Sequence, residues 1–230
     1  MGFNPNNYVP PKAKKLPVIL LLDVSGSMAG DKIDALYDSV MDMIKSFVAA
    51  QVKETIIDVA IITFGENVEL KNPYTSVMNL QKSGISKFHA EGATPMGTAL
   101  KMAKDMIEDK STTPSNIYRP AIVLVSDGQP NDQWKKPLDC FINDGRSAKC
   151  QRFAIAIGND ADMNILEKFT GNKDNLFFAE DADDLADKFQ KFTMSVSTRA
   201  TSQNPNVVPT PSKPIGDGAK QNADDEDEYI

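Results

Sequence analysis

Short apolar runs alternate along this chain with segments whose apolar residues recur at helical spacing, and that alternation restricts the fold more than any other feature. Val18 to Leu22, Ile56 to Phe64, Ala121 to Val125, Phe153 to Ile157 and Leu176 to Ala179 are too short for core helices and read as strands. Between them, Ile33, Leu36, Val40, Met43, Ile44 and Phe47 fall on one helical face, with Asp31 placed to cap its start. A second helix is expected after Pro95, with Leu100, Ala103, Met106 and Ile107 inward. Asp132 to Lys149 reads as helical but broken around Pro137 and Gly145. Met163 to Phe169 is a short helix, and Leu185, Phe189, Phe192 and Val196 mark a closing one capped near Asp181. The run to Phe64 is interrupted only by Asp58 and Thr63, as in a strand covered on both faces. Gly65-Glu66-Asn67 then turns the chain, and Val68 to Val77 returns as an antiparallel edge strand, where Pro73 is tolerated. Such alternation predicts an α/β fold: a doubly wound, Rossmann-like sheet of six strands, mostly parallel, with helices on both faces.

The first strand ends abruptly. After Leu22 come Asp23, Ser25 and Ser27, one carboxylate and two hydroxyls on a loop kept supple by Gly26. All are hard oxygen donors, which suit Mg²⁺, Mn²⁺ or Ca²⁺ rather than zinc or copper. A helix cap accounts for one of them, not for all three. In a doubly wound sheet, ligands sit beyond the carboxyl ends of the strands. Two further loops belong at such ends. Ser126-Asp127-Gly128 follows the strand Ala121 to Val125, and Gly92-Ala93-Thr94-Pro95 leads into a helix, with Pro95 suited to its first position. Taken singly, Asp127 reads as a strand-ending turn and Thr94 as an N-cap. Together the three loops offer two carboxylates and three hydroxyls at one edge of the sheet.

This set, D-V-S-G-S at 23–27, T-P at 94–95 and S-D-G at 126–128, resembles the metal-ion-dependent adhesion site of the von Willebrand factor A domain family. The order and spacing of the loops and the edge strand at 68–77 also match, over Leu16 to Arg199. The resemblance implies a single domain with strand order 3-2-1-4-5-6. It implies Ser25, Ser27 and Thr94 as ligands to a divalent metal, with Asp23 and Asp127 acting directly or through water. Within the family, L-P-V-I-L-L-L-D-V-S-G-S-M and G-A-T-P-M-G-T-A-L look most like compact bacterial proteins linked to tellurium resistance and stress response. These are thought to work beside a protein kinase and a metal-dependent protein phosphatase. The chain departs from the pattern in its long N-terminal arm, its Pro-rich acidic tail, and Ser126 where Thr is more usual.

Neutral hydroxyls and only two carboxylates leave a dication with residual positive charge, so a Glu or Asp from a partner protein is the expected further ligand. The expected role is therefore a non-enzymatic adaptor. A metal-dependent hydrolase or chelatase-type subunit is the alternative, but it needs a base besides the metal. The single histidine, His89, and Glu91 precede Thr94, and both read as loop side chains. The Walker phosphate-loop pattern is absent.

The bulk properties narrow the partners. A net charge of −7 is a poor basis for holding nucleic acid. Lys12, Lys14 and Lys15 before an apolar run imitate a secretory signal, yet Pro17 and Asp23 bound that run too tightly, and nothing approaches the roughly 20 apolar residues of a membrane span. Cys140 and Cys150 lack metal-ligand spacing and read as free thiols in a reducing compartment, with a single disulfide between them as the alternative, so a cytoplasmic protein is expected. Residues 1–15 are expected to form a flexible arm, 16–199 the domain, and 200–230 a disordered tail. Asp217, Asp224, Asp225, Glu226, Asp227 and Glu228 outnumber Lys213 and Lys220 there. About 25 flexible residues span roughly 25–30 Å, so a tail carboxylate within Asp224 to Glu228, or that of Ile230, can reach a metal on the same or a neighbouring molecule.

Overall fold

A computed structural model describes residues 13–50 and 55–206. Most of the N-terminal arm, and the acidic tail with its proposed reach to the metal, lie outside the described residues. Six strands form one sheet: β1 (Lys14–Asp23), β2 (Thr55–Phe64), β3 (Val68–Ser76), β4 (Ala121–Ser126), β5 (Gln151–Ile157) and β6 (Leu176–Ala179). The order is β3-β2-β1-β4-β5-β6, with β3 antiparallel to β2 and every other pair parallel. Among the described residues six α-helices accompany them: α1 (Asp31–Ala50), α2 (Val77–Ser83), α3 (Met96–Glu108), α4 (Lys135–Asn143), α5 (Met163–Thr170) and α6 (Ala182–Thr201). Among the described residues no helix is long and apolar enough to cross a membrane.

β1 divides the core, because successive side chains of a strand face opposite ways. Leu16, Val18, Leu20 and Leu22 pack with Ile33, Leu36, Val40 and Phe47 of α1 and with Leu185, Phe189, Phe192 and Val196 of α6. Ile19 and Leu21 face the other layer, with Leu100, Ala103 and Ile107 of α3, Leu138 and Phe141 of α4, and Leu166 and Phe169 of α5. Both layers are buried, which is why the sequence of β1 is continuously apolar instead of alternating. Asp58 interrupts β2 because it is ion-paired to Lys15 on the neighbouring strand, at 2.7 Å. Pro73 sits where the β2–β3 register slips, so its missing N–H costs the ladder nothing.

Three local expectations need correction. The return strand does not run to Val77. Ser76 accepts a hydrogen bond from the Asn79 N–H and opens α2, which Gly84 closes at φ 70°. Pro137 does not break a helix, since it lies in the first turn of α4, where a backbone N–H has no intrahelical acceptor. The break comes at Gly145, whose φ of 70° ends the segment, and whose lack of a Cβ admits the Glu108 carboxylate. Pro95 occupies the cap of α3 instead of its first helical position.

At the amino ends of the strands, Arg199 of α6 is fully buried. Its guanidinium donates to the carbonyls of Pro205 and Arg119 and, at 3.1 Å, to Gln151 Oε1. Burial pulls its pKa down to about 10, which still leaves it charged in neutral solution. The Asn206 side chain accepts from the Arg119 N–H at 2.9 Å. The chain is thus pinned just beyond α6 to the start of β4.

Candidate metal-binding site

β1 and β4 are neighbours, yet β1 connects toward β2 on one side and β4 toward β5 on the other. Their carboxyl ends form the switch point of the sheet. The register pairs Leu22 with Val125, so Asp23 and Ser126 emerge side by side. Ser126 Oγ donates to Asp23 Oδ2 at 2.6 Å, and the Ser25 N–H donates to Asp23 Oδ1 at 2.9 Å. The hydroxyl is what Asp23 requires of position 126, and serine supplies it.

A 3₁₀ turn at Gly26–Met28 then folds the hydroxyls together. Ser25 Oγ and Ser27 Oγ are 3.1 Å apart, and Ser27 Oγ donates to Asp127 Oδ1 at 2.6 Å. Thr94 Oγ1 and Ser27 Oγ both lie within 4 Å of the point where a side chain on Gly128 would begin, at 3.8 and 3.9 Å. All five predicted residues, Asp23, Ser25, Ser27, Thr94 and Asp127, are therefore gathered on three loops. Four of them are buried, and Ser27 faces solvent.

Close backbone approach holds the loops at this spacing. The Val24 N–H donates to the Phe64 carbonyl, the Gly26 N–H to the Gly92 carbonyl, and the Glu91 N–H to the Val24 carbonyl, at 2.8 to 3.0 Å. A Cβ on Gly65 would stand 2.7 Å from two carbonyl oxygens, and one on Gly92 (φ 76°) 2.3 Å from Glu66 Cα. Only glycine permits both contacts.

Several residues that build the site carry no local signal. Asn131 Oδ1 accepts from the Thr94 N–H at 3.2 Å, while the Asn131 N–H donates to the Thr94 carbonyl at 3.2 Å. Asp132 caps α3 from a different loop: its carboxylate accepts from the backbone N–H groups of Gly97 (2.9 Å) and Thr98 (2.8 Å) and from the Thr98 hydroxyl (2.9 Å). The loop carrying Asp127 is thereby fastened to the loop carrying Thr94. Lys32 places its ammonium 2.6 Å from Asp127 Oδ2. A lysine in the first turn of a helix opposes the macrodipole, and that misplacement is the one signal in the sequence that could have marked it.

The donor set fits a hard divalent cation. Among the described residues no group of three or more His, Cys, Asp or Glu side chains is arranged for a metal; hydroxyls make up the majority here. Burial pushes the Asp23 carboxyl up, hydrogen bonds from Ser126 and Ser25 oppose the shift, and the charge of Asp127 adds to it. A buried carboxylate beside a second one is a place where added positive charge is favoured. His89 and Glu91 are exposed and line a neighbouring cleft of about 160 Å³ with Val24, Glu66 and Glu69, while the hydrogen-bond partner of Ser25 Oγ is Ser27 Oγ.

A family model, the von Willebrand factor type A domain, matches residues 18–191. No curated protein matches the chain by sequence. Similar solved structures include proximal thread matrix protein 1 of the mussel byssus, at 18% identity and TM-score 0.65, covering 80% of this chain and 48% of that one. The same mussel protein with its metal-ion-dependent adhesion motif occupied by zinc aligns at 17% identity and TM-score 0.64, again over 80% and 48%. The von Willebrand factor domain of a type V pilus tip protein from Porphyromonas gingivalis aligns at 13% and 0.63, over 84% of this chain and 98% of that one. This chain spans about half the length of the mussel protein, at 48%.

Proposed function

The chain belongs to the von Willebrand factor type A domain family, and we propose that it is a protein-recognition module that captures an acidic residue of a partner through a divalent cation. Domains of this family commonly serve as metal-dependent interaction modules and are generally not enzymes. The observation that carries the reading is the convergence of Ser25, Ser27 and Thr94 hydroxyls at the switch point, with Asp23 and Asp127 beside them.

In this proposal Ser25, Ser27 and Thr94 hold the cation, Mg²⁺ by preference or else Mn²⁺ or Ca²⁺. Asp127 takes the Ser27 proton as a hydrogen bond, which turns the Ser27 lone pairs outward. Asp23 is engaged on both oxygens by Ser126 and Ser25 and fixes the loop instead of reaching outward. The cation, when bound, supplies a Lewis-acidic position for one carboxylate oxygen of a partner Glu or Asp. The setting we propose is a bacterial stress-response or tellurium-resistance complex, in a reducing cytoplasm, with a protein kinase and a metal-dependent protein phosphatase as candidate partners. Its support is the sequence of the first and second site loops and the free thiols of Cys140 and Cys150.

Immobilised protein exposed to lysate in Mg²⁺ or in EDTA tests this reading. Capture that vanishes in EDTA and in Thr94→Ala, with circular dichroism unchanged, supports it. Capture indifferent to both defeats it, and phosphoester turnover lost in Asp127→Ala would replace recruitment by hydrolysis.

A further inference from the structure

Asp127 and Asp23 each accept one hydrogen bond on either oxygen, but Asp127 takes one of its two from a cation. Its Oδ1 accepts from Ser27 Oγ at 2.6 Å, and its Oδ2 accepts from Lys32 Nζ at 2.6 Å. The carboxylate is fully buried, whereas the Lys32 side chain is one-third exposed. Lys32 also reaches the Ser27 carbonyl, at 3.4 Å. Exposed Asp31 and Asp34 share the first turn of α1 with Lys32, yet the ammonium pairs with neither and turns to the site. This is a cation built into the place where a second cation is to be held.

We propose that Lys32 sets the charge of the metal site: it offsets Asp127, weakens the grip on the divalent cation, and leaves the loaded site positive enough to take a carboxylate. The proposal rests on the metal-site reading above. With Asp127 offset by an ammonium, Asp23 is the one site carboxylate whose charge stays free to balance the dication. The surplus charge then falls to an incoming carboxylate. Removing the ammonium returns the second negative charge to the metal, so cation affinity rises while carboxylate affinity falls. A residue that merely held Asp127 in position would do the reverse to the cation when removed, because a loosened Asp127 weakens the ligand set.

Calorimetric titration of Mn²⁺ into wild type, Lys32→Gln and Lys32→Arg separates these, with melting curves in EDTA as the folding control and Lys32→Met in reserve. Acetate added to the Mn²⁺-loaded proteins, followed by water-proton relaxation, probes the carboxylate position. Lys32→Gln is expected to bind Mn²⁺ about tenfold more tightly, since a unit charge at hydrogen-bond distance is removed, and to need more acetate for the same response. Lys32→Arg is expected to match wild type on both counts. Equal or weaker Mn²⁺ binding by Lys32→Gln overturns the proposal while leaving the metal site standing. Absence of Mn²⁺ binding by wild type removes both.

Discussion

Asp132→Ala gives the sharpest test of how the site is assembled. α3 begins behind Pro95, whose side chain caps nothing, and has no acid in its first turn. Its leading N–H groups, on Gly97 and Thr98, are satisfied by Asp132 from the loop after β4. Losing an ordinary N-cap costs about 1 kcal/mol. Here two backbone donors and the Thr98 hydroxyl lose an ionised acceptor together, so about 2 kcal/mol is expected. For a domain of this size that corresponds to a fall of about 4–8 °C in melting temperature. Asp132→Asn, which keeps one acceptor oxygen, should lose about half as much. The substitution should also reach the site, because Asn131 next door brackets Thr94 through both its side chain and its N–H. Loss of such supporting contacts weakens metal binding by about tenfold. Differential scanning calorimetry in EDTA and Mn²⁺ titration measure the two effects separately. A melting temperature within 1 °C of wild type would show that the cap carries no weight. A lowered melting temperature with unchanged Mn²⁺ affinity would refute the coupling between Asp132 and Thr94.

Other perturbations have equally definite outcomes. Burial alone would raise the Glu108 carboxyl, but N–H donors from Ser147 and Arg146 and the Lys104 ammonium outweigh it and bring it below its ordinary 4.5. A depressed carboxyl stabilises the fold above its unfolded pKa, and that contribution is lost as pH falls through the folded value. Wild type should therefore lose melting temperature below about pH 4.5 more steeply than Glu108→Gln; parallel curves would contradict this. Cys150 is buried and its thiol pushed up to about 12 by burial, whereas Cys140 is half-buried. Iodoacetamide at pH 8 should label Cys140 first and Cys150 only on unfolding, as read by peptide mass spectrometry; equal labelling would contradict the placement. Arg199→Leu strands the Pro205 and Arg119 carbonyls and the Gln151 side chain, and should lower stability by about 2–4 kcal/mol in urea. An unchanged urea midpoint would show those contacts to be dispensable.

The parts of the molecule legible in the sequence are those with local periodicity or a local chemical oddity. A nearly unbroken apolar run marked β2 as covered on both faces, and the polar residues at which β1 and β4 stop marked the site edge. Helical spacing in α1, α3 and α6 placed their inner faces. The unread parts depend on contacts between distant residues. α2 is seven residues long and buries only Val77 and Leu80, too few for a period to emerge. Asp132 looks like the start of its own helix, when its carboxylate serves another helix 34 residues earlier. Ser126 looks like a departure from a motif, and its meaning depends on Asp23, 103 residues away. Lys32 is out of place in the first turn of a helix, but its partner is known only once α1 brings its ammonium to Asp127, 95 residues away.

The latch at Arg199 gives the molecule a front and a back. β1 advances ten residues from Lys14 to Asp23, about 30 Å at the rise of an extended chain. Lys14 and the anchored Asn206 both lie at the amino ends of the strands, with the oxygen cluster at the carboxyl ends. Asn206, the last of the described residues, is therefore held at the end of the sheet opposite the oxygen cluster. A support coupled at that end would leave the oxygen-lined loops facing outward, so what is read from such a surface would reflect the chemistry of those loops.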